Sequence, residues 1–324
     1  MMSTLSVILV PIGDLSARSF PALEKAAQLA RALNAKIELF HDMAIPIPTE
    51  GLGAPGNMLR GIKSNARRTA LEALETLAAP LRAKRLAVST AAAWDYPPYE
   101  AIVRRAIAIG ADLIVAPRRE RHRVAALLGY TDWELLRLSP VPVLLVKTST
   151  PYRRPAVLAA IDPTHTHAKP SGLDRRILDY GIRVSRALRG SLHVVHAYPA
   201  VPLPPSVTFN TKLRKSLTRD AEREPRKIFD KALSATAIPP ARRHLVRGKP
   251  SDVVPAVARQ TRCAIVVIGA VSRSAFKRLF IGSTAEEVMD RLQCDLLVVK
   301  PARFAAAVPR ARRGPQFITG SAYL

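Results

Sequence analysis

"CAIVVIGAVSRSAFKRLFIGSTAEEVMDRLQCDLLVVK", residues Cys263–Lys300, has the same order of features as "ADLIVAPRRERHRVAALLGYTDWELLRLSPVPVLLVK", residues Ala111–Lys147. Each stretch opens with an apolar run, continues through a basic loop to a glycine, and ends with a second apolar run and a lysine. The two glycines, Gly129 and Gly282, are 153 residues apart, and so are the two final lysines. Such self-similarity predicts two structural units of the same kind.

The rest of the second half alternates between strand-like and helix-like segments. Strands are predicted at Ala156–Ile161, Leu192–Ala197, His244–Arg247, Ile265–Ile268 and Leu296–Val299. Helices are predicted at Leu173–Leu188, where Gly190 is expected to stop the helix, at Leu213–Leu233, and after Ser251, a typical N-cap residue. The last two strands are continuous apolar runs, which suit a parallel sheet covered on both faces. The sequence therefore predicts an α/β fold made of two tandem doubly wound domains.

The 324 residues also divide by composition. We predict one domain over residues 1–150 and a second over residues 151–302, with a linker at Thr148–Pro155. Residues 303–324 are basic and rich in alanine, proline and glycine, so we predict that they form a disordered tail.

The charge of the chain is high and uneven. Lysine and arginine number 50 against 25 acidic residues, a net charge of +25, of which +6 falls in residues 1–150 and +19 in the remainder. Such a field attracts nucleotides, nucleic acid and anionic surfaces without selecting among them. We predict a cytoplasmic protein without membrane insertion, because no apolar run could span a bilayer and no signal-peptide pattern is seen.

A highly charged run at Asn210–Phe229 raises the question of nucleic-acid binding. Aromatic residues that would stack on bases are scarce, so we expect non-specific, salt-sensitive contact and not sequence-specific recognition. The two cysteines, Cys263 and Cys294, give no disulfide framework and are expected as buried or half-buried residues at strand starts.

The loop after Ile268 has features of a phosphate site. In an open parallel sheet, ligands bind beyond the carboxyl ends of the strands. Gly269 allows close approach to the backbone, and Gly282-Ser283-Thr284 would place free N–H groups and hydroxyls at a helix N-terminus. Ser283 and Glu286 also have the spacing of a capping box, which needs no ligand. Both interpretations remain open at this point.

The pattern across each half resembles the universal stress protein family, and within it the tandem, two-domain E type. Nucleotide-binding members carry Gly-x2-Gly-x9-Gly-[Ser/Thr], which falls here on Gly269, Ser272, Gly282 and Ser283, with Ser272 in place of the second glycine. The family's aspartate at the end of the first strand corresponds to Asp162. Its backbone contact with adenine maps to about Ala197.

The resemblance implies a five-stranded parallel sheet in each half, of order 3-2-1-4-5. It also implies an intramolecular pseudo-dimer through the last strands, with a homodimer as a further option, and binding of ATP or ADP with Mg²⁺. The predicted nucleotide site consists of Asp162, Ala197, Gly269, Ser272, Gly282, Ser283 and Thr284.

The first half departs from this motif. Ala116 replaces the first glycine, Arg119 the second, and Tyr130 the small hydroxyl residue, while the aspartate position is Gly13 with Asp14 one residue late. We predict that this half does not bind ATP in the family manner.

No serine–histidine–aspartate set, paired-carboxylate motif or cysteine–histidine pair is found, so we predict no catalytic residues, no metal site, and at most slow ATP hydrolysis. His41 and His196 occupy equivalent strand ends and are expected to be bound by backbone. The sequence thus predicts a stress-response regulatory module that binds ATP or ADP in its second domain and has protein partners not named by the sequence. The alternative is a non-nucleotide interaction scaffold for nucleic acid or a lipid-like ligand.

Overall fold

The computed structural model describes residues 5–43, 47–48, 56–118, 131–164, 172–199, 211–270, 283–304, 308–313 and 317–318. The chain forms two compact units. The first consists of Met1–Tyr152 together with Arg303–Leu324, and the second of Arg153–Ala302.

The first unit contains one five-stranded parallel sheet. Its strands and helices in chain order are β1 (Val7–Pro11), α1 (Pro21–Leu33), β2 (Lys36–Asp42), β3 (Ile47–Pro48), α2 (Gly56–Ala83), β4 (Val88–Ala93), α3 (Pro98–Ala108), β5 (Leu113–Pro117), α4 (Thr131–Leu138) and β6 (Val143–Val146). The strand order is β4-β2-β1-β5-β6, and every described pairing among them is parallel. Counted within this sheet, that is the predicted order 3-2-1-4-5, with β3 lying outside it.

The second unit repeats the arrangement. Its elements are β7 (Ala156–Ala160), α5 (Leu173–Ala187), β8 (Ser191–Tyr198), α6 (Thr211–Leu233), β9 (Arg243–Arg247), α7 (Pro250–Gln260), β10 (Cys263–Gly269), α8 (Ser283–Arg291) and β11 (Asp295–Val299). The strands lie in the order β9-β8-β7-β10-β11 with parallel pairing throughout. The predicted α/β class and strand order are therefore confirmed in both units.

Continuous apolar runs form strands that are buried on both faces, as their pattern predicted. Residues 265–267 in β10 and residues 296–299 in β11 are at most 1% exposed, because helices lie over both faces of a doubly wound sheet. Cys263 is buried at the first position of β10, and Cys294 is half-buried immediately before β11. Both cysteines thus occupy the strand starts predicted for them.

The outer strand β4 has its backbone covered by arginine side chains of α2. Arg67 Nε donates to the carbonyl oxygen of Ala92 at 3.1 Å, and Arg82 Nε donates to that of Val88 at 2.8 Å. Such coverage protects an edge strand against pairing with another chain.

Arginine also occupies backbone positions of unusual conformation. Of the five non-glycine residues with positive φ that the described residues include, four are arginines: Arg85, Arg154, Arg189 and Arg262. Arg189, with φ of 52°, follows the C-terminus of α5. Gly190, which was predicted to stop the helix, is required for another reason. A Cβ at this position would lie 2.0 Å from the carbonyl oxygen of Pro155.

The predicted N-cap at Ser251 is wrong. Helix α7 begins at Pro250, its N-cap residue is Lys249, and no side chain caps it. Proline at the first helical position needs no partner for a backbone N–H, so the helix starts two residues earlier than the serine indicated. Ser251 lies inside the helix and is buried.

The C-terminal segment belongs to the first unit. Its composition predicted disorder, but Val308 is buried, Arg313 binds two carboxylates of the first unit, and β12 (Phe317–Ile318) pairs in parallel with β3. The segment has little apolar surface to bury, and its ion pair with the buried carboxylates stabilises it instead. Within the part of the chain that the structure describes, no helix has the length and apolarity needed to cross a membrane.

Candidate functional site

The carboxyl edge of the second sheet brings two predicted site residues to neighbouring strand ends. Val267 of β10 is in register with Ala159 of β7, so Gly269 is level with the residue just before Asp162. From β7 the chain crosses first to β8 on one side and later returns to β10 on the other. Asp162 and Gly269 therefore flank the switch point, where open parallel sheets bind ligands.

Asp162 is held in place by its surroundings. It is 9% exposed, its backbone N–H donates to Asp174 Oδ1 at 3.1 Å, and its Oδ1 accepts the hydroxyl of Thr164 at 2.9 Å. Asp174 lies in the first turn of α5, so the helix and the strand exit are tied together. The hydroxyl of Thr164 thereby orients the carboxylate, and Asp174 fixes the backbone that carries it.

Gly269 is explained by packing against α5. A Cβ at this position would lie 2.7 Å from Leu173 Cδ2 and 3.0 Å from Ile177 Cδ1. The sequence analysis assigned the glycine to a tight strand exit and to ligand approach. The close approach that the structure shows is to Leu173, which is 1% exposed.

Ala197 lies near the end of β8, beyond the last pair of the β7–β8 ladder, Ala160 with Val195. Beside it, His196 is buried, and its Nδ1 donates to the carbonyl oxygen of Ile161 at 3.2 Å. In the first unit His41 Nδ1 donates to the carbonyl oxygen of Ile12 at 2.7 Å. The predicted backbone bonds of both histidines are confirmed, and they fix the same strand exit in each unit.

The remaining part of the predicted site is only partly described. Helix α8 begins at Ser283, with Glu286 in its first turn, which agrees with a helix start at this serine. The side chains of Ser283 and Thr284 are not described, and Ser272 and Gly282 lie outside the described residues. Their part in binding nucleotide stays a prediction.

The first unit has a different strand exit. Asp14 is exposed, and its Oδ1 accepts both the N–H and the hydroxyl of Ser16, at 2.8 and 2.6 Å; these hydrogen bonds lower the pKa of Asp14. At the position equivalent to Gly269, Ala116 is buried, so a Cβ is accommodated there. Arg119 and Tyr130 lie outside the described residues.

A histidine pair on β8 and β9 was not predicted from the sequence. His193 Nδ1 and His244 Nε2 are 3.0 Å apart, so one ring donates to the other. Burial lowers the pKa of both imidazoles, and the neighbouring charges of His244 and Arg242 lower that of His193 further. The sequence did indicate that His193 faces away from His196, because alternate residues of a strand point to opposite faces. It did not give the register between β8 and β9, which brings His244 beside His193.

Comparison with known proteins matches both units. The model of the "Universal stress protein family" matches residues 5–147 and again residues 156–300. Universal stress protein E of Escherichia coli K12 is 31% identical over 218 residues, covering 66% of this chain and 69% of that protein. Universal stress protein E of Salmonella typhi is 29% identical over 301 residues, covering 89% of this chain and 92% of that protein.

Among solved structures, a protein titled as functionally unknown from Pseudomonas aeruginosa PAO1 has the same architecture. Its TM-score is 0.69 at 25% sequence identity, and the match covers 92% of this chain and 93% of that one. The similarity therefore extends over both units and not over a single repeat.

Proposed function

The chain belongs to the universal stress protein family, and we propose that it is a stress-response regulatory module whose second unit binds ATP or ADP. The observation that carries the proposal is the position of Asp162 beside the end of β10 at the switch point of the sheet. A buried carboxylate that accepts the Thr164 hydroxyl, on a strand exit tied to α5 through Asp174, is oriented for a ligand hydroxyl or for Mg²⁺.

The residues present fit a nucleotide at this edge. Ala197 lies beyond the β7–β8 ladder, so its backbone is suited to contact with a base. The start of α8 at Ser283 directs backbone N–H groups toward an anion, and the helix dipole favours negative charge there. The net charge of +25 adds long-range attraction for a polyphosphate.

We assign the second unit a binding role and no catalytic residue. A bound nucleotide would supply phosphate charge, and the protein groups would orient it and hold Mg²⁺ through Asp162. Nucleotide binding by the first unit is not proposed, because Asp14 is exposed, whereas Asp162 is buried at the strand exit.

Calorimetric titration with ATP and Mg²⁺ tests the proposal on the full chain. We expect one site per chain in the wild type and loss of binding in Gly282→Val. Asp162→Asn should bind at least tenfold more weakly, a loss of about 1.4 kcal/mol of binding free energy or more. Asp14→Asn, the same chemical change at the first unit's strand exit, is the matched control and should bind as the wild type does. Equal affinity in Asp162→Asn and Asp14→Asn would remove Asp162 from the site.

A second candidate function is an interaction scaffold that binds no nucleotide. The packing of Gly269 against Leu173 favours it, because that contact accounts for the first motif glycine without a ligand. The absence of binding at millimolar ATP in the same titration would overturn the nucleotide proposal and favour this alternative.

A further inference from the structure

Two acidic side chains are buried together in the first unit. Asp95 follows the carboxyl end of β4 and is 2% exposed, and Glu100 lies in the first turn of α3 and is 4% exposed. Buried carboxylates require hydrogen-bonded, charged partners, because removing them from water is unfavourable otherwise. The identity of those partners decides what this pocket recognises.

Arg104, from α3 itself, satisfies the first carboxylate. Its Nε and Nη2 donate to the two oxygens of Asp95, both at 2.8 Å, and its Nη1 donates to Glu100 Oε2 at 2.9 Å. One guanidinium thus faces two carboxylates. The fork of Arg104 is used on Asp95, which leaves Glu100 oriented for a second fork-shaped donor.

Arg313 of the C-terminal segment is that donor. Its Nε and Nη2 donate to Glu100 Oε2 and Oε1 at 3.0 and 2.9 Å, and its backbone N–H donates to Asp95 Oδ1 at 3.0 Å. Arg104 Nη1 in turn donates to the carbonyl oxygen of Pro309 at 3.0 Å. The pocket therefore binds both a guanidinium and the backbone that carries it.

The two sides of this contact differ in burial. The side chain of Glu100 is 6% exposed, whereas that of Arg313 is 56% exposed. The acceptor is built into α3 and the end of β4, and the donor lies on the surface. Departure of Arg313 would leave the acceptor assembled around Arg104, shaped for another arginine.

We propose that Asp95 and Glu100 form an arginine-specific docking site, occupied in the free protein by the chain's own C-terminal segment and open to an arginine-bearing segment of a protein partner. Nucleic acid does not fit this pocket, because a phosphate would face the Glu100 carboxylate. Lysine cannot present the planar fork that Glu100 accepts.

A neighbouring cavity gives room for the rest of such a segment. It has a volume of about 730 Å³, and its lining includes Phe40, Thr90, Trp94, Arg105 and Arg312 of the C-terminal segment. Because Arg312 forms part of its wall, exchange of the segment would also change this cavity.

The probe for the test is a fluorescent peptide of residues 308–318, VPRARRGPQFI, titrated against full-length protein without nucleotide. The peptide should bind Arg313→Ala about tenfold or more tightly than the wild type, because the resident segment competes at high effective concentration. Arg310→Ala, which removes the same charge from an exposed residue of the same segment, is the matched control and should behave as the wild type.

A second peptide with lysine in place of Arg313 should bind Arg313→Ala at least about tenfold more weakly than the arginine peptide. Equal affinity of the wild type, Arg313→Ala and Arg310→Ala for the arginine peptide would overturn the proposal. So would equal affinity of Arg313→Ala for the two peptides, or no binding of the arginine peptide to Arg313→Ala. The site lies in the first unit, so these outcomes are independent of ATP binding by the second.

Discussion

Gly269, the last residue of β10, faces Leu173, the first residue of α5, so closely that a Cβ at position 269 would lie 2.7 Å from Leu173 Cδ2. Real Cβ atoms essentially never approach another atom this closely, and buried Leu173 has little room to move. The glycine that the sequence assigned to the start of a nucleotide-binding motif is therefore a packing residue in the structure. Its presence alone does not distinguish a ligand site from a close helix–strand contact.

Alanine at position 269 should destabilise the second unit. Relief of the contacts with Leu173 and Ile177 requires a shift of α5, and overpacking of this kind costs about 1–3 kcal/mol. Thermal unfolding followed by circular dichroism should show a lower midpoint for Gly269→Ala. Gly61→Ala is the control, because no atom lies within 4 Å of its added Cβ in α2, and it should leave the midpoint unchanged or raise it. Equal midpoints for the two variants would contradict the packing argument.

Acidification should weaken the second unit through His193 and His244. Both imidazoles have a pKa below the ordinary value of 6.5, so the unfolded chain binds protons more readily than the folded one. The contribution of the two neutral imidazoles to the free energy of unfolding is complete above pH 6.5. It is lost as the pH falls from there toward their lower pKa values in the folded protein. Protonation of both rings also removes the acceptor in their 3.0 Å hydrogen bond and adds charge beside Arg242.

The measurement is the thermal midpoint between pH 8 and pH 5. The double variant His193→Gln/His244→Gln should lose less stability over this range than the wild type. An identical pH dependence would show that the pair does not control it.

Glycine in place of Arg189 should stabilise the protein. Arg189 has φ of 52°, a conformation that is unfavourable for a residue with a Cβ and common for glycine after a helix. We expect a gain of up to about 1 kcal/mol in the free energy of unfolding. Arg186→Gly, which makes the same substitution in the last turn of α5, should instead lose about 1 kcal/mol. Chemical denaturation measures both, and a loss in Arg189→Gly would contradict the prediction.

Removal of Arg67 should make the protein associate. Its Nε covers the carbonyl oxygen of Ala92 on the outer strand β4, and an uncovered edge strand can pair with another molecule. Light scattering at rising concentration should detect larger species in Arg67→Ala. Arg68→Ala changes the neighbouring arginine, whose side chain is 70% exposed in its contact with Glu72, and should remain like the wild type. Equal scattering from both variants would show that the arginine does not protect this edge.

The repeat predicted two units of the same class, and the family resemblance supplied the strand order within each sheet. A common spacing of 153 residues between Gly129 and Gly282 indicated two equivalent units, and the structure has the same strand order in each. Periodicity also placed the helix and strand boundaries of the second unit within a few residues. These features are local, since an apolar run predicts its own burial whatever lies elsewhere in the chain.

Features that depend on distant partners could not be predicted in the same way. The aspartate at position 162 was identified, but its orientation by Asp174 and Thr164 required the structure. A basic, proline-rich segment indicated disorder, and nothing near Arg313 in sequence shows that its partner is Glu100. Gly269 was correctly placed at a strand exit, whereas the neighbour that excludes a Cβ there comes from α5.

Several arginines that contribute to the positive charge are engaged within the protein. Arg67, Arg82, Arg104, Arg105 and Arg313 all donate hydrogen bonds within the first unit. Hydrogen bonding leaves the net charge of +25 unchanged, but these side chains are engaged within the protein and are less available to an external polyanion.

Ion pairing between Glu100 and Arg313 joins residues 213 positions apart, and this separation has a consequence during protein synthesis. At roughly 5–20 residues per second, a ribosome adds Arg313 some 10–40 s after Glu100. Throughout that interval the nascent first unit carries an acidic pocket without its own closing arginine, while the whole second unit is being translated. The first unit is thus translated first but completed last. A premature stop after residue 302 would leave the first unit incomplete, although the truncation itself lies at the end of the second.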